Sequence, residues 1–198
     1  MTDYWTDAPT LSTDLIQLRP LVRDDRHALL TALSDGKLWE PFFSSFPAPD
    51  QIDQWLDDVE AGARQGRRMA LAVIHRPSGQ LIGSTSYCRM NKQHRRLEIG
   101  YTFYAASYQR GPVNSQAKRL LLTHAFDVMD CLCVQIRTNS LNQRSRRAIE
   151  RLGAQLDGVL RHHVIDKNGL SRDTAVYSII DSDWPVVKAN LDYLNRER

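Results

Sequence analysis

The amino-acid sequence predicts a single mixed α/β domain of the α+β class over residues 1–198, and three observations carry that expectation. Runs of alternating apolar and polar residues recur beside Pro and Gly turns. Stretches of helical period lie between them. The 198 residues, 42% hydrophobic and 25% charged, are enough to bury one full core and show no linker, repeat or low-complexity tract.

The elements follow in order. Leu15 to Leu21 alternates and contains Pro20, as a short strand does. Asp24-Asp25 opens a helix through Ala28, Leu29, Ala32 and Leu33 that fades at Asp35-Gly36. Trp39 to Pro47 is aromatic and broken by Pro, which leaves a loop. Asp50 is placed to cap a second helix carrying Ile52, Trp55, Leu56 and Val59. Met69 to Ile74 and Leu81 to Tyr87 form a hairpin around Arg76-Pro77-Ser78-Gly79, and Arg95 to Phe103 is the next antiparallel partner. On that strand Leu97, Ile99, Tyr101 and Phe103 are expected on one face, with Glu98, Gly100 and Thr102 on the other. A helix from Asn114 to Met129 has a stripe of Ala117, Leu121, Ala125 and Val128, and the strand Cys133 to Arg137 comes next. A helix from Asn142 to Leu152 stops at Gly153. Strands Leu156 to Ile165 and Thr174 to Ile180 flank the turn at Asp166 to Gly169, and Asp183 starts a last helix.

Composition excludes several classes. A net charge of +3 from scattered Lys and Arg gives no broad nucleic-acid face but permits a small anion. The only basic cluster, Arg144, Arg146 and Arg147, is too short to argue for nucleic acid. No apolar stretch approaches a membrane span and the N-terminus has no secretory pattern, so the cytoplasm is expected. Cys88, Cys131 and Cys133 lack zinc-binding spacing and read as reduced core or strand residues, and the adjacent His162-His163 pair makes a poor metal site. No metal is expected.

The informative stretch runs from Arg95 to Gly153. The loop Tyr108 to Asn114 feeds a helix N-terminus, whose free N–H groups suit an anion, and Glu98 on the preceding strand lies near Ser145 in the order strand, loop, helix, strand, helix. Leu97-Glu98-Ile99-Gly100-Tyr101, the loop from Tyr108 to Lys118, and Asn142-x-x-Ser145 followed by Glu150-Arg151-Leu152-Gly153-Ala154 together resemble the GCN5-related N-acetyltransferase (GNAT) superfamily. In detail the chain is similar to the branch acting on ribosomal-protein alanine N-termini, from Leu15 to about Trp184.

The resemblance implies a mostly antiparallel sheet splayed between its fourth and fifth predicted strands, those of Glu98 and Val134, with helices on both faces. It implies acetyl-CoA as donor and a primary amine as acceptor, on a protein N-terminus or a small molecule. Thr102, Phe103 and Tyr104 would face the pantetheine arm, with Gly100 marking a bulge or a glycine tolerated in a twisted strand. The pyrophosphate loop would use Gln109, Arg110, Gly111, Val113, Asn114 and Ser115, with Lys118 and Arg147 adding charge and Asn142 meeting the pantetheine amide. Pro112 departs from the family's loop, removing one N–H and pushing Gly111 toward extended backbone, while Asn114 or Ser115 can cap the helix. Arg110 and Lys118 read equally well as solvated surface charges.

For the chemistry, Glu98 stands where a base would work through one water, and Ser145 matches the branch's proposed acid. Glu98 is otherwise an exposed carboxylate paired with Arg95, Arg96 or a neighbouring strand, and Ser145 a first-turn hydrogen-bonder beside an Asn142 cap. The Tyr acid of other members is replaced by Ile149, and the branch's base position by Val164, so Glu98, His162 or His163 must serve, or the amine must arrive neutral. Trp39, Phe42 and Phe43, with Phe46 and Trp55, would roof an acceptor cleft or simply belong to the core. The departures at Pro112, Ile149 and Val164 keep open a second reading, a non-catalytic acyl-CoA-binding or regulatory domain of the same fold. An edge strand near the C-terminus could pair two subunits as a homodimer.

Overall fold

The chain's apolar alternation builds one eight-stranded sheet in a computed structural model that describes residues 3–166 and 168–196. Its strands are β1 (Leu11–Ser12), β2 (Ile16–Pro20), β3 (Arg68–His75), β4 (Gln80–Asn91), β5 (Arg96–Tyr104), β6 (Cys133–Asn139), β7 (Gln155–Ile165) and β8 (Ser171–Ile180). The order across the sheet is β1-β2-β3-β4-β5-β6-β8-β7. Every neighbouring pair is antiparallel except β5 and β6, which run parallel.

Helices α1 (Arg26–Ser34), α2 (Ile52–Arg64), α3 (Val113–Thr123), α4 (Gln143–Glu150) and α5 (Trp184–Arg196) complete the fold. Two apolar layers result. Leu29, Leu33, Ile52, Trp55 and Leu56 of α1 and α2 pack with Ala70 and Phe103 on one face. Ala117, Leu121 and Leu122 of α3 and Val187 and Leu191 of α5 pack with Leu71, Leu97, Ile99 and Val134 on the other. The expected order and the helices on both faces are therefore present, with β1 as an added short strand. Among the described residues no helix is long and apolar enough to cross a membrane. Lys167, in the turn expected at Asp166 to Gly169, lies outside the described residues.

Three details differ from the sequence pattern. The stripe expected through Val128 breaks because α3 ends at Thr123 and continues as a π-turn, His124–Val128. The wider turn carries one extra residue, so Phe126 and Met129 point inward while Val128 is 44% exposed. Asp50 makes no side-chain cap of α2; a 3₁₀ turn, Pro49–Gln51, leads in instead. The Pro112 side also lacks the expected cap, because Pro112 itself holds the N-cap position and Ser115 Oγ turns away to the Pro112 carbonyl at 2.9 Å and Asn195 Oδ1 at 2.7 Å.

Candidate active site at the splayed strands

The site starts where two parallel strands part. β5 and β6 are paired at Arg96 with Cys133, Leu97 with Val134 and Glu98 with Gln135, and at no later position among the described residues. Beyond Glu98 the strands diverge, as expected, and their upper ends lead to α3 and α4. Gln109 spans the mouth: its Nε2 donates to the Tyr104 carbonyl at 2.7 Å, and its Oε1 accepts from Arg144 at the start of α4.

The β5 backbone changes phase inside this gap. Ser86 pairs with Gly100 and Ser84 with Phe103, so Thr85 alone opposes both Tyr101 and Thr102, and Tyr101 takes a left-handed φ of 50°. This is a β-bulge, one residue beyond the glycine expected to mark it. The alternation inverts there. Tyr101 turns to the α2 face, where its ring meets Arg68, and Thr102 turns to the α3 face, where Lys118 Nζ donates to its Oγ1 at 3.0 Å. Phe103 then falls among the α1 and α2 side chains and Tyr104 in the α3 layer. Tyr101 and Phe103 thus do not share a face with Leu97 and Ile99, and the Phe103 and Tyr104 side chains are buried rather than facing a ligand, leaving their backbone for that role.

Glu98 is buried, not the exposed carboxylate its strand position allowed, and it pairs with the neighbouring strands, as one expectation had it, rather than with Arg95 or Arg96. Its partners are Arg89, with Nε 3.2 Å from Oε2, and Arg137, with Nε 3.1 Å from the same oxygen. Neither contact is aligned as a hydrogen bond, so Oε2 has no hydrogen-bond partner among the described residues. Burial pushes the Glu98 carboxyl above its ordinary range, with Arg137 and Arg89 pulling back less strongly. Oε1 reaches over Gly100: a Cβ there would stand 3.3 Å from it and 3.2 Å from Cys88 Sγ. Burial also pushes the Cys88 thiol up to about 12, which keeps it protonated.

At the other end, the loop offers what an anion needs. The left-handed residue is Arg110, at φ 65°, whereas Gly111 needs no positive φ and has open space around its Cα. Val113, Asn114 and Ser115 open α3, so their N–H groups lie in the unsatisfied first turn. Arg110 and Arg147 are exposed. Asn142 caps α4, its Oδ1 accepting from Ser145 N at 3.0 Å, and Ser145 is half-buried. Arg146 is not free for phosphate, since it donates to Tyr177 Oη at 2.9 Å. Donors and space thus fit a CoA pyrophosphate at α3 and a pantetheine arm between β5 and β6.

Lys118 is neither a surface charge nor part of this loop. It is buried against Thr102, and burial lowers its amine to about 7. Trp39 packs at the edge of the α1 and α2 core, while Phe42 and Phe43 stack edge-to-face at 5.1 Å and line a cleft with Val164, Ile165 and Arg172 of the β7–β8 hairpin. His162 sits in a bulge of β7 at φ 48° with Nδ1 3.1 Å from Ser171 Oγ, and His163 Nδ1 lies 3.0 Å from Thr174 Oγ1. Both rings are engaged by β8 hydroxyls.

Arg68, and Arg89 and Arg137 on Glu98, were not singled out from sequence, and Arg144, which meets Gln109, was read only as part of a short basic cluster. A signal existed for Arg68: strand parity puts it on the same face as Ala70 and Ala72, an inward position for a charge.

A sheet parted beside a buried carboxylate, with a helix N-terminus at its mouth, defines an acyl-transfer scaffold, and residues 16–155 match the family described as "Acetyltransferase (GNAT) domain". The chain belongs to that acetyltransferase family. It is 25% identical over 173 residues to the uncharacterised N-acetyltransferase YoaA of Bacillus subtilis (strain 168), covering 87% of this chain and 97% of that one. It is also similar to the crystal structure of a GCN5-related N-acetyltransferase from Brucella melitensis, with a TM-score of 0.84 and 26% identity over 96% of this chain and 87% of that one. Mycobacterium smegmatis RimJ in complex with CoA-disulfide shares the fold at a TM-score of 0.78 and 21% identity, covering 99% and 98%.

Proposed function

We propose that this GNAT enzyme uses acetyl-CoA to acetylate a primary amine, with Glu98 as base and Ser145 as acid. The observation that carries the reading is the buried Glu98 carboxylate, with Oε2 lacking a hydrogen bond among the described residues, at the last pairing before β5 and β6 part. When bound, acetyl-CoA supplies a thioester carbonyl open to an amine. The first-turn N–H groups of α3, with Arg110 and Arg147, would hold the phosphates, and the β5 backbone from Gly100 to Tyr104 the pantetheine amides. Asn142 and Gln109 would fix the mouth. RimJ, which shares the fold and is described in complex with CoA-disulfide, supports the choice of donor.

In the transfer an N–C bond forms and a C–S bond breaks. Glu98 accepts the proton lost by the amine nitrogen, through one water, and a carboxyl raised above its usual range is a stronger base for that step. Ser145 Oγ–H delivers the proton needed at sulfur. The acceptor would enter past Phe42 and Phe43, in the cleft that also holds Val164. That Val occupies the position the branch reserves for its base leaves the role to Glu98.

Thiol release from acetyl-CoA with a panel of amines tests this. Glu98→Gln and Ser145→Ala are each expected to lower kcat by about 10²–10⁴ while cofactor affinity changes little. The Glu98→Gln loss should shrink at high pH, where more amine is already neutral, and the Ser145→Ala loss should persist. Near-normal turnover of Glu98→Gln at neutral pH would move the base elsewhere.

A further inference from the structure

On the α2 face, Arg68 lies in one row across the sheet with the base: Arg68 pairs with Cys88, Cys88 with Glu98 and Glu98 with Gln135. Directly opposed residues point to the same face, so the Arg68 and Glu98 side chains emerge together, two strands apart. The Arg68 side chain leans up to the next row, where its Nε donates to Ser86 Oγ at 3.0 Å, and Ser86 is paired with Gly100. Its guanidinium lies 3.9 Å from the centre of the Tyr101 ring and 5.1 Å from that of Trp55. Cys88, paired with both, stands between Arg68 and Glu98 in the row.

Arg68 lacks what buried arginines normally have. The residue is only 8% exposed, no carboxylate lies within ion-pair distance among the described residues, and Nη2 is buried with no hydrogen-bond partner. Asp58 of α2 acts on it only at longer range. The aromatic faces offset part of the desolvation but cannot accept the orphaned N–H in-plane. The charge along the row has the same sense: Arg89 and Arg137 both stand against the Glu98 carboxylate, and Arg68 emerges two strands away on the same face. A buried guanidinium with a fork-shaped donor left open suits a carboxylate.

We propose that Arg68 is an anion-binding residue for the acceptor, on the same sheet face as Glu98, and that the acceptor is an amine carrying a carboxylate. Arg68 and Glu98 stand two strands apart, roughly 10 Å at the backbone, so the acceptor's carboxylate lies well beyond its amine. That separation is too long for an α-amino acid's own carboxylate and fits an acidic side chain at or next to a peptide N-terminus, or a longer amino acid. Tyr101, 45% exposed and stacked on the guanidinium, covers the site from solvent and must turn aside to admit the carboxylate.

The inference rests on the transferase reading, and the experiment separates the two. Matched acceptors, each an acidic amine and its amide, are compared by kcat/KM. The acid is expected to lead by at least about tenfold, the usual worth of a hydrogen bond to a charged group, and Arg68→Met should bring the ratio near one while Arg68→Lys keeps part of it. A ratio near one in the wild type, or a ratio retained in Arg68→Met, overturns the proposal. Where Arg68→Met does not fold, Ser86→Ala removes the Nε anchor and should lower the ratio; an unchanged ratio counts against Arg68. If no amine is acetylated, the transferase reading fails. Titration of the same pairs into the CoA-saturated protein then still decides: preference for the acid, lost in Arg68→Met, supports the site, and equal binding overturns it.

Discussion

Two buried titratable side chains flank the bulge of β5, and each holds its less charged form more readily than it would in water. For Glu98 the folded carboxyl is raised, so the folded state binds its proton more tightly than the unfolded one, and stability falls as pH rises through the raised value. Glu98→Gln should therefore match or exceed the wild-type Tm at pH 8 while losing activity, a separation that simple misfolding would not produce. For Lys118 the folded amine is lowered to about 7, so between that pH and the ordinary lysine range the unfolded chain carries more protons. Stability should rise with pH across this window. Thermal melts at pH 7 and pH 9.5 are expected to show a more positive pH slope in the wild type than in Lys118→Met, where the buried thiols alone lower stability as pH rises, and Lys118→Met should also be the more stable protein at pH 7. A Lys118→Met melt with the wild-type pH slope would place the titrating group elsewhere.

Among the elements, β4 and β5 carry the site, and their fit rests on a glycine that charge and motif give no reason to notice. A Cβ on Gly83 would stand 2.2 Å from the Phe103 carbonyl oxygen and 3.1 Å from the Tyr104 Cα, both backbone atoms that cannot step aside. Gly83→Ala should push β4 from β5 and cost about 1–3 kcal/mol in denaturant unfolding, the range for overpacked cores; an unchanged midpoint would mean the strands yield freely. The same strands show how far the sequence was legible. Period-2 and helical patterns, with Pro and Gly punctuation, located the elements from Leu15 onward, because each buries one face and so must repeat in phase. Phase was lost at two insertions, the Tyr101 bulge and the π-turn after Thr123, since one extra residue leaves no mark in an otherwise apolar run. Glu98, Ser145 and the α3 loop were readable from motifs. Arg89 and Arg137 were not, because their meeting with Glu98 joins three strands through long-range pairing.

At the scale of the molecule, the sheet is two halves joined by a short parallel seam. β1 to β5 form one half and β6 with β8 and β7 the other, linked in the sheet by the pairings from Arg96 to Glu98, with α3 and α5 packed across the back through Ser115 to Asn195 and Arg119 to Asp192. A ligand lodged between β5 and β6 touches both halves, and it binds the folded chain alone. Acetyl-CoA at a hundred times its Kd should then stabilise by about 2.7 kcal/mol, which for a chain of this size raises Tm by about 5–10 °C. Hydrogen exchange should gain protection along β5 beyond Glu98, along β6 beyond Gln135 and in the first turn of α3, while the β7–β8 hairpin stays as it was. Pro112→Gly, which returns an N–H to the α3 entrance, should keep that shift or enlarge it, although the apo protein should melt lower through the added freedom of its unfolded chain. No thermal shift at saturating acetyl-CoA would remove the donor from the proposed reaction, and a shift without protection at α3 would move the phosphates to another part of the surface.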